Sequence, residues 1–202
     1  MSSDFLTNIL NDQSMNKILL IAALLFTSNA LFAQKGKVYP NFPEKFESPS
    51  AETKNKYGKA TVEFSSGTWT LDQAIIGNSS DNKDRYKGKQ SIRMQQQLEV
   101  PALLQMDFDL PNGASKVTFG YGSYGKDPAS TFILEYSTDQ GSTWTKHDKI
   151  VNDPIGELTT ATYKFDIKGA VRFRVHKVGL GASEGPIKNG RLNIDDFAVY
   201  QN

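Results

Sequence analysis

The sequence contains no cysteine and only two histidines, His147 and His176. The missing cysteine excludes disulfide bonds, thiolate metal sites, a cysteine nucleophile and an acylated-cysteine anchor. The His-Glu-x-x-His pattern of zinc proteases is also absent. The adjacent acids Asp195 and Asp196 do not suit glycoside hydrolysis, which needs two carboxyls about 5–10 Å apart across the sugar bond. We therefore expect a non-catalytic protein, with a hydrolase as the less favoured alternative.

The sequence also lacks an excess of positive or negative charge. It contains 23 Lys and Arg and 22 Asp and Glu, which gives a formal net charge of +1. Such balance gives no reason to expect a nucleic acid or an anionic membrane as partner. The 202 residues, of which 11% are aromatic, are enough for one packed domain.

Long apolar runs are scarce, and the one that stands out, 18–26, lies near the N-terminus. It follows Lys17 and precedes small and polar residues that end at Ala33, which is the layout of a secretory signal peptide. We expect translation to start at Met15, cleavage after Ala33 with Ala30 as a second site, and export to the periplasm or the cell exterior. The mature chain would then have no membrane span; the alternative is an uncleaved N-terminal anchor.

Helical periodicity is missing after the leader, where short segments alternate between apolar and polar residues. This period of two predicts strands, and their number favours an all-β fold: a two-sheet antiparallel β-sandwich, jelly-roll-like. We divide the chain into a leader (1–33), an extended segment and loop (34–58), and the sandwich (59–202), which the 44–48 segment joins as its first strand. We expect 162–167 to form a hairpin with 170–177, and 77–89 to be an exposed loop. The predicted strands are 60–64, 67–76, 90–100, 104–110, 116–122, 131–136, 162–167, 170–177 and 191–200.

A second hairpin is predicted around the pattern Ser137-x-Asp139-x-Gly141-x-x-Trp144. Asp139 can accept hydrogen bonds from the amides of its own turn, and Gly141 can take a positive φ. One face of the strand before this turn should lie on the core. The spacing resembles the Asp-box of sialidase propellers and other extracellular β proteins, in which it is a structural turn. A single copy argues against a propeller, which would repeat it in every blade.

The last strand changes its apolar phase at Asp195-Asp196, which predicts a bulge that turns one carboxylate inward. With a Phe46-Glu47-Ser48 segment and a tryptophan strand soon after it, this order of motifs resembles the jelly-roll modules of secreted bacterial proteins. These are the cleaved-adhesin and choice-of-anchor type, the MAM-like type, carbohydrate-binding modules, and sandwich domains that accompany secreted nucleases. The resemblance implies a structural Ca²⁺ held by Glu47 and by Asp195 or Asp196. The alternative is hydrogen bonding of these acids to loop amides.

Tyrosines among glycines are the candidate ligand residues. Tyr121 and Tyr124 lie in Gly-Tyr-Gly-Ser-Tyr-Gly, Tyr86 lies in the polar 77–89 loop, and Arg93 lies on the polar face of its strand. Flat exposed rings beside bare backbone are surfaces on which sugars stack. For Tyr121 the alternative is a place in the core, and for Tyr124 it is packing within a loop.

A basic stripe, Arg172, Arg174 and His176, is predicted on the outward face of one strand. It would bind sulfate, uronate or phosphate, or else be a solvated face paired with acids such as Asp166.

The sequence as a whole favours an exported non-catalytic binding module whose partner is a polysaccharide or other glycan. The alternative is a structural, adhesion or protein-interaction domain that accompanies a secreted enzyme such as a nuclease.

Overall fold

The computed structural model describes residues 36–79, 81–96, 99–153, 156–182 and 185–202. The predicted signal peptide lies outside these residues. The described part contains one short 3₁₀ helix, Ala51–Lys54, and none of its helices is long and apolar enough to cross a membrane.

In the described residues, eleven strands form two antiparallel sheets, as the alternating sequence predicts. The six-stranded sheet has the order β1-β2-β5-β10-β7-β8 and the five-stranded sheet the order β3-β4-β11-β6-β9. The strands are β1 (Ala60–Phe64), β2 (Gly67–Asp72), β3 (Ala74–Gly77), β4 (Ser91–Met94), β5 (Ala102–Met106), β6 (Ala114–Ser123), β7 (Ser130–Ser137), β8 (Thr145–Asp153), β9 (Thr159–Ile167), β10 (Arg172–Lys177) and β11 (Leu192–Tyr200).

An aromatic cluster joins the two sheets at the centre of the sandwich. Trp69 is fully buried, and its ring meets Phe46 at 5.8 Å and Phe197 at 5.3 Å between centroids, both edge to face. Its indole N–H donates to the hydroxyl of Ser66 at 2.9 Å, so the buried ring leaves no polar atom unpaired. Trp69 is therefore a core residue of the sandwich.

The segment before β1 belongs to this core. Val38 bridges Tyr200 and Glu44 bridges Phe197, so the segment runs along β11. Glu44 is buried and accepts hydrogen bonds from the Phe46 amide at 2.9 Å and from the Ser66 amide at 2.7 Å. These bonds hold the chain in place as it enters the sandwich.

The hairpin predicted between 162–167 and 170–177 is wrong. β9 pairs with β6, and β10 pairs with β5 and β7, so the two segments lie in different sheets. The alternation of apolar residues marked the inward face of each strand correctly, and Phe165 meets Phe173 across the core at 5.3 Å. Alternation shows which face points inward but not which sheet a strand joins.

The second predicted hairpin, β7 to β8, is present. Asp139 accepts hydrogen bonds from the hydroxyl of Ser137 at 2.6 Å and from the amide and hydroxyl of Thr143 at 2.9 and 2.6 Å. The bond from Ser137 and then those from Thr143 lower the pKa of Asp139 to about 2. Gly141 has a φ of 87°, and the Trp144 indole donates to its carbonyl at 3.1 Å.

One face of β7 lies on the core, as predicted, with Phe132 and Leu134 fully buried, and the opposite face is covered as well. Its outward residues Thr131, Ile133 and Glu135 are also at most 4% exposed. The connection before β11 covers this face, where the Lys188 amide donates to the Thr131 hydroxyl at 2.7 Å. An alternating pattern cannot show that a loop returns over the polar face.

Lys177, at the end of β10, is fully buried, and its ammonium donates to the side chain of Asn189. Burial lowers the pKa of Lys177 to about 8, although the charge of Asp127 acts in the opposite direction. The folded state therefore disfavours the charged form, which the unfolded chain keeps up to about pH 10.5.

We predict that the protein gains stability as the pH rises from about 8 to about 10.5, by roughly 3 kcal/mol from this group. Chemical denaturation at several pH values should show the gain in the native protein and not in K177M. Equal pH profiles for the two proteins would contradict the assignment.

Candidate functional site

The outer face of the five-stranded sheet has a strip without side chains, where β6 places Gly120 and Gly122. A Cβ on Gly122 would come within 3.2 Å of Cγ of Arg85, and one on Gly120 would meet Leu158 at 3.6 Å. Gly122 therefore lets Arg85 of the 77–89 loop lie directly on the sheet, and Gly120 leaves room for Leu158, which precedes β9.

A buried carboxylate, Asp84, fastens this loop. It accepts hydrogen bonds from the Ser79 amide at 2.8 Å, from Nδ2 of Asn193 at 2.9 Å and from Arg93 at 2.9 Å. The side chain of Asp84 is 0% exposed and that of Arg93 is 16% exposed. Residues 81–83 and 87–89 of the loop are exposed, as predicted, but Asp84 is buried and serves as its anchor.

Arg85 then links the loop to the chain after β6. Its guanidinium donates to the carbonyl of Ser123 at 3.3 Å and to that of Gly125 at 3.0 Å. The loop and the end of β6 therefore form the two walls of an open cleft.

We call this the tyrosine cleft, after Tyr124 in its wall. It has a volume of about 560 Å³ and is lined by Asp81, Asn82, Lys83, Arg85, Tyr124, Gly125, Lys126, Asp127 and Arg191.

Two guanidinium groups cover the ring of Tyr124. The Cζ atoms of Arg191 and Arg93 lie 4.0 and 4.6 Å from its centroid, a cation–π arrangement. Tyr124 is consequently half-buried, and its ring is less open than the flat exposed platform that the sequence predicted.

Arg191 is itself held by Asp127, which accepts from Nε at 2.6 Å and from Nη2 at 2.9 Å. Burial alone would raise the pKa of Asp127, but the hydrogen bonds and charge of Arg191 keep it below its ordinary value. The pair is therefore ionised at neutral pH, and it fixes the guanidinium against the tyrosine.

The other predicted ligand residues are partly brought together. Tyr121 is 4% exposed and packs on Phe132 with centroids 5.1 Å apart; its assignment as a ligand residue is wrong, and its core alternative is correct. Tyr86 lines a second cleft of about 380 Å³, which shares Asn82 and Arg85 with the tyrosine cleft. Arg93 lies behind Tyr124 and donates to Asp84 and to the Tyr57 hydroxyl.

The predicted metal ligands meet around the backbone of 87–89. Both oxygens of Glu47 accept from the Lys89 amide at 3.0 and 3.1 Å, and Asp195 accepts from the Lys87 amide at 2.7 Å. The predicted bulge is present, since the register of β11 shifts after Asp195 and Asp196 has a φ of 49°. Asp196 lies 3.3 Å from the ammonium of Lys87.

Asp195 is the buried member of this group. Burial raises its pKa to about 7, against the effect of its two amide hydrogen bonds, and the negative charges of Asp196 and Glu47 raise it further. Carboxylates are ligands that Ca²⁺ accepts. Within the described ranges, however, no three acidic, histidine or cysteine side chains form a metal-binding group, so a cation would need backbone carbonyls as well.

The basic stripe on β10 is paired with acids, although not with Asp166. Arg172 contacts Asp109 at 2.6 Å, and Arg174 contacts Glu135 at 2.5 Å. Asp166 contacts Lys168 at 2.8 Å instead, because β9 and β10 lie in different sheets.

Sequence reasoning missed Asp84, Arg85, Asp127 and Arg191. A lone acid in a polar loop and an arginine just before the last strand gave no periodic signal, and only the fold brings them to one place. It also missed the Gly-x-Ser-x-Gly spacing at 181–185. The next element is the strand β11, whereas a hydrolase elbow needs a helix there.

The chain matches no family model, and no curated protein matches its sequence. Solved structures that resemble it include carbohydrate-binding modules. It is similar to TmCBM61 in complex with β-1,4-galactotriose (18% identity, TM-score 0.46, 79% of this chain and 99% of that one). It is also similar to the CBM22-1 xylan-binding domain of Paenibacillus barcinonensis Xyn10C (13% identity, TM-score 0.48, 83% and 96%).

A third similar structure is the arabinose-bound α-L-arabinofuranosidase MgGH51, with 8% identity and a TM-score of 0.52. The match covers 83% of this chain and 26% of the enzyme. At this identity it shows a shared fold.

We predict that D84N lowers the free energy of unfolding by about 3 kcal/mol, because it removes a buried charge and leaves Arg93 without its partner. D81N, on the same loop, should change it by less than about 0.5 kcal/mol, because Asp81 is 48% exposed. Urea denaturation of both variants measures the difference. Similar values for the two would show that Asp84 does not anchor the loop.

Proposed function

We propose that the chain is an exported, non-catalytic glycan-binding module and that the tyrosine cleft holds the sugar. The observation that carries the proposal is the half-buried ring of Tyr124 in an open cleft whose other lining groups are almost all polar. Sugars bind where an apolar surface lies beside fixed hydrogen-bonding groups. The sandwich fold alone does not assign a ligand.

The cleft is suited to this task because its parts are held before a ligand arrives. The ring of Tyr124 is fixed by Arg191, and Arg191 is fixed by Asp127. A group that is already ordered loses little conformational entropy on binding. A sugar would contact the edge of the ring and the planar guanidinium of Arg191, while Asn82 and Lys126 supply hydrogen-bonding groups at the rim.

The length of the binding surface is a second feature that supports glycan binding. Because the cleft beside Tyr86 shares Asn82 and Arg85 with the tyrosine cleft, a chain of several sugar units would contact both tyrosines. Export follows in this proposal from the signal peptide at 15–33, and places the module in the periplasm or outside the cell, where polysaccharides occur.

A structural Ca²⁺ is part of the proposal. Glu47 and Asp195 would hold it, with Asp196 beside them, and the ion would supply a link between the segment before β1 and the last strand. The support is that Glu47 and the buried Asp195 accept hydrogen bonds from neighbouring amides of the same 87–89 segment, together with the oxygen chemistry of these groups.

An apolar surface favours a second candidate function, contact with another protein as a structural, adhesion or accessory domain. Leu180 and Ile187 are 40% and 44% exposed, and Ile187 lines a cleft of about 340 Å³ together with Ile133 and Val178. Such a role would suit a domain that accompanies a secreted enzyme such as a nuclease.

We predict that EDTA lowers the melting temperature and that added Ca²⁺ raises it by several degrees, because an ion that binds only the folded state adds stability. Calorimetry of the native protein, E47Q and E52Q tests this. Glu52 is an exposed acid near the same segment, so E52Q should keep the response and E47Q should lose it. A melting temperature that changes with neither EDTA nor Ca²⁺ would contradict the proposed calcium site.

We predict that Y124A weakens glycan binding at least tenfold, because it removes the ring and also the surface that positions the guanidinium of Arg191. Y200A is the matched control, since Tyr200 is also half-buried and has the ammonium of Lys116 at 3.7 Å from its centroid. A glycan array, run with and without Ca²⁺, measures both variants. If the native protein binds no glycan, the proposal is wrong, and contact with another protein becomes the favoured function.

A further inference from the structure

We infer that the tyrosine cleft selects acidic glycans, whose sugars carry carboxylate or sulfate groups. The inference rests on the proposed glycan-binding function and names the class of ligand for the same cleft.

The lining of the cleft is positively charged, although the chain is almost neutral. Four of its lining residues are cations, Lys83, Arg85, Lys126 and Arg191, whereas only Asp81 and Asp127 are anions. Over the whole chain the counts are 23 and 22. The excess of two positive charges is therefore local to this cleft.

Ion pairs within the cleft account for two of the four cations. Lys83 contacts Asp81 at 2.5 Å, and Arg191 contacts Asp127 at 2.6 Å. Arg93, behind the tyrosine, is likewise paired with Asp84 at 2.9 Å. These pairs leave no acid for the remaining cations.

Arg85 and Lys126 are the uncompensated cations. Among the residues that the structure describes, Arg85 donates to backbone carbonyls alone, those of Asn82, Ser123 and Gly125, which neutralise no charge. Lys126 is exposed and makes no ion pair with any described residue. Arg191 is 37% exposed, and in the described part of the chain its Nη1 atom has no hydrogen-bond partner.

These groups suit an anion. Guanidinium and ammonium groups form their strongest hydrogen bonds with carboxylate and sulfate oxygens, and opposite charges near a protein surface attract each other more strongly than they do in bulk water. A neutral sugar needs donors and acceptors but gains nothing from an excess of positive charge. The cleft therefore favours a sugar acid or a sugar sulfate over a neutral sugar.

The basic stripe on β10 gives the contrast within the same molecule. Its two arginines, Arg172 and Arg174, are paired with Asp109 and Glu135. Sequence reasoning placed anion binding on that stripe, whereas the uncompensated cations lie in the tyrosine cleft.

The test compares polysaccharides that differ in charge and share a backbone. Polygalacturonate is paired with its methyl ester, and a sulfated galactan with its desulfated form, in titration calorimetry at 50 mM and 500 mM NaCl. We expect at least one acidic form to bind tenfold or more tightly than its neutral partner, with the difference reduced at high salt because the charges are screened. The pair that shows the effect identifies carboxylate or sulfate as the recognised group.

K126Q should weaken binding of the acidic form about three- to tenfold and that of the neutral form by a clearly smaller factor, because glutamine keeps a hydrogen-bonding group at the rim but not the charge. K168Q is its control, since Lys168 is also an exposed lysine but lies outside the cleft, and it should change neither. Neutral forms that bind as well as the acidic ones would overturn the inference and leave the glycan-binding function standing. No binding to any polysaccharide would overturn both, and equal binding to double-stranded DNA would overturn the selectivity for acidic sugars.

Discussion

The buried carboxylate of Asp84 determines whether the tyrosine cleft exists. It lies between the 77–89 loop and the outer face of the five-stranded sheet, where Asn193 and Arg93 donate to it. A charge so placed is stabilised only if its partners are complete. The same arginine reaches the ring of Tyr124, so the bonds that hold the loop also position the tyrosine.

The sandwich supplies the rigid part of this arrangement. Trp69 with Phe46 and Phe197 joins the sheets and the segment before β1, while the glycines of β6 leave room for the loop on the opposite side of the sheet. In our proposal, the core provides stability and the outer face of the five-stranded sheet carries the binding site. This division agrees with the fully buried position of Tyr121 and the half-buried position of Tyr124, which are three residues apart in sequence.

The fold was largely predictable from the sequence, because alternation marks inward faces wherever a strand contacts the core. The turn at Asp139 and the bulge at Asp195 were predictable for local reasons: the side chain of Asp139 bonds to its own turn, and a phase change needs an extra residue. The sheet to which each strand belongs was not predictable, as β9 and β10 show. A short turn after β9 allows the next strand either to pair with β9 in the same sheet or to cross to the other sheet. Of the predicted ligand residues, Tyr124 lines the tyrosine cleft, Tyr86 lines the second cleft and Arg93 lies behind Tyr124. The positions of Asp84, Asp127 and Arg191 depend on contacts between residues far apart in sequence, so the sequence did not predict them.

Charge in this protein has to be assessed after pairing. Arginines that appear as a basic stripe in the sequence are neutralised by acids from neighbouring segments, and cations scattered through two loops remain unpaired in one cleft. The most direct measurement of the account is chemical-shift mapping by NMR of the ¹⁵N-labelled protein during titration with an acidic oligosaccharide. The account predicts that the largest shifts fall on the amides of Gly125, Lys126 and Arg191; shifts confined to β10 and its neighbours in the six-stranded sheet would contradict it.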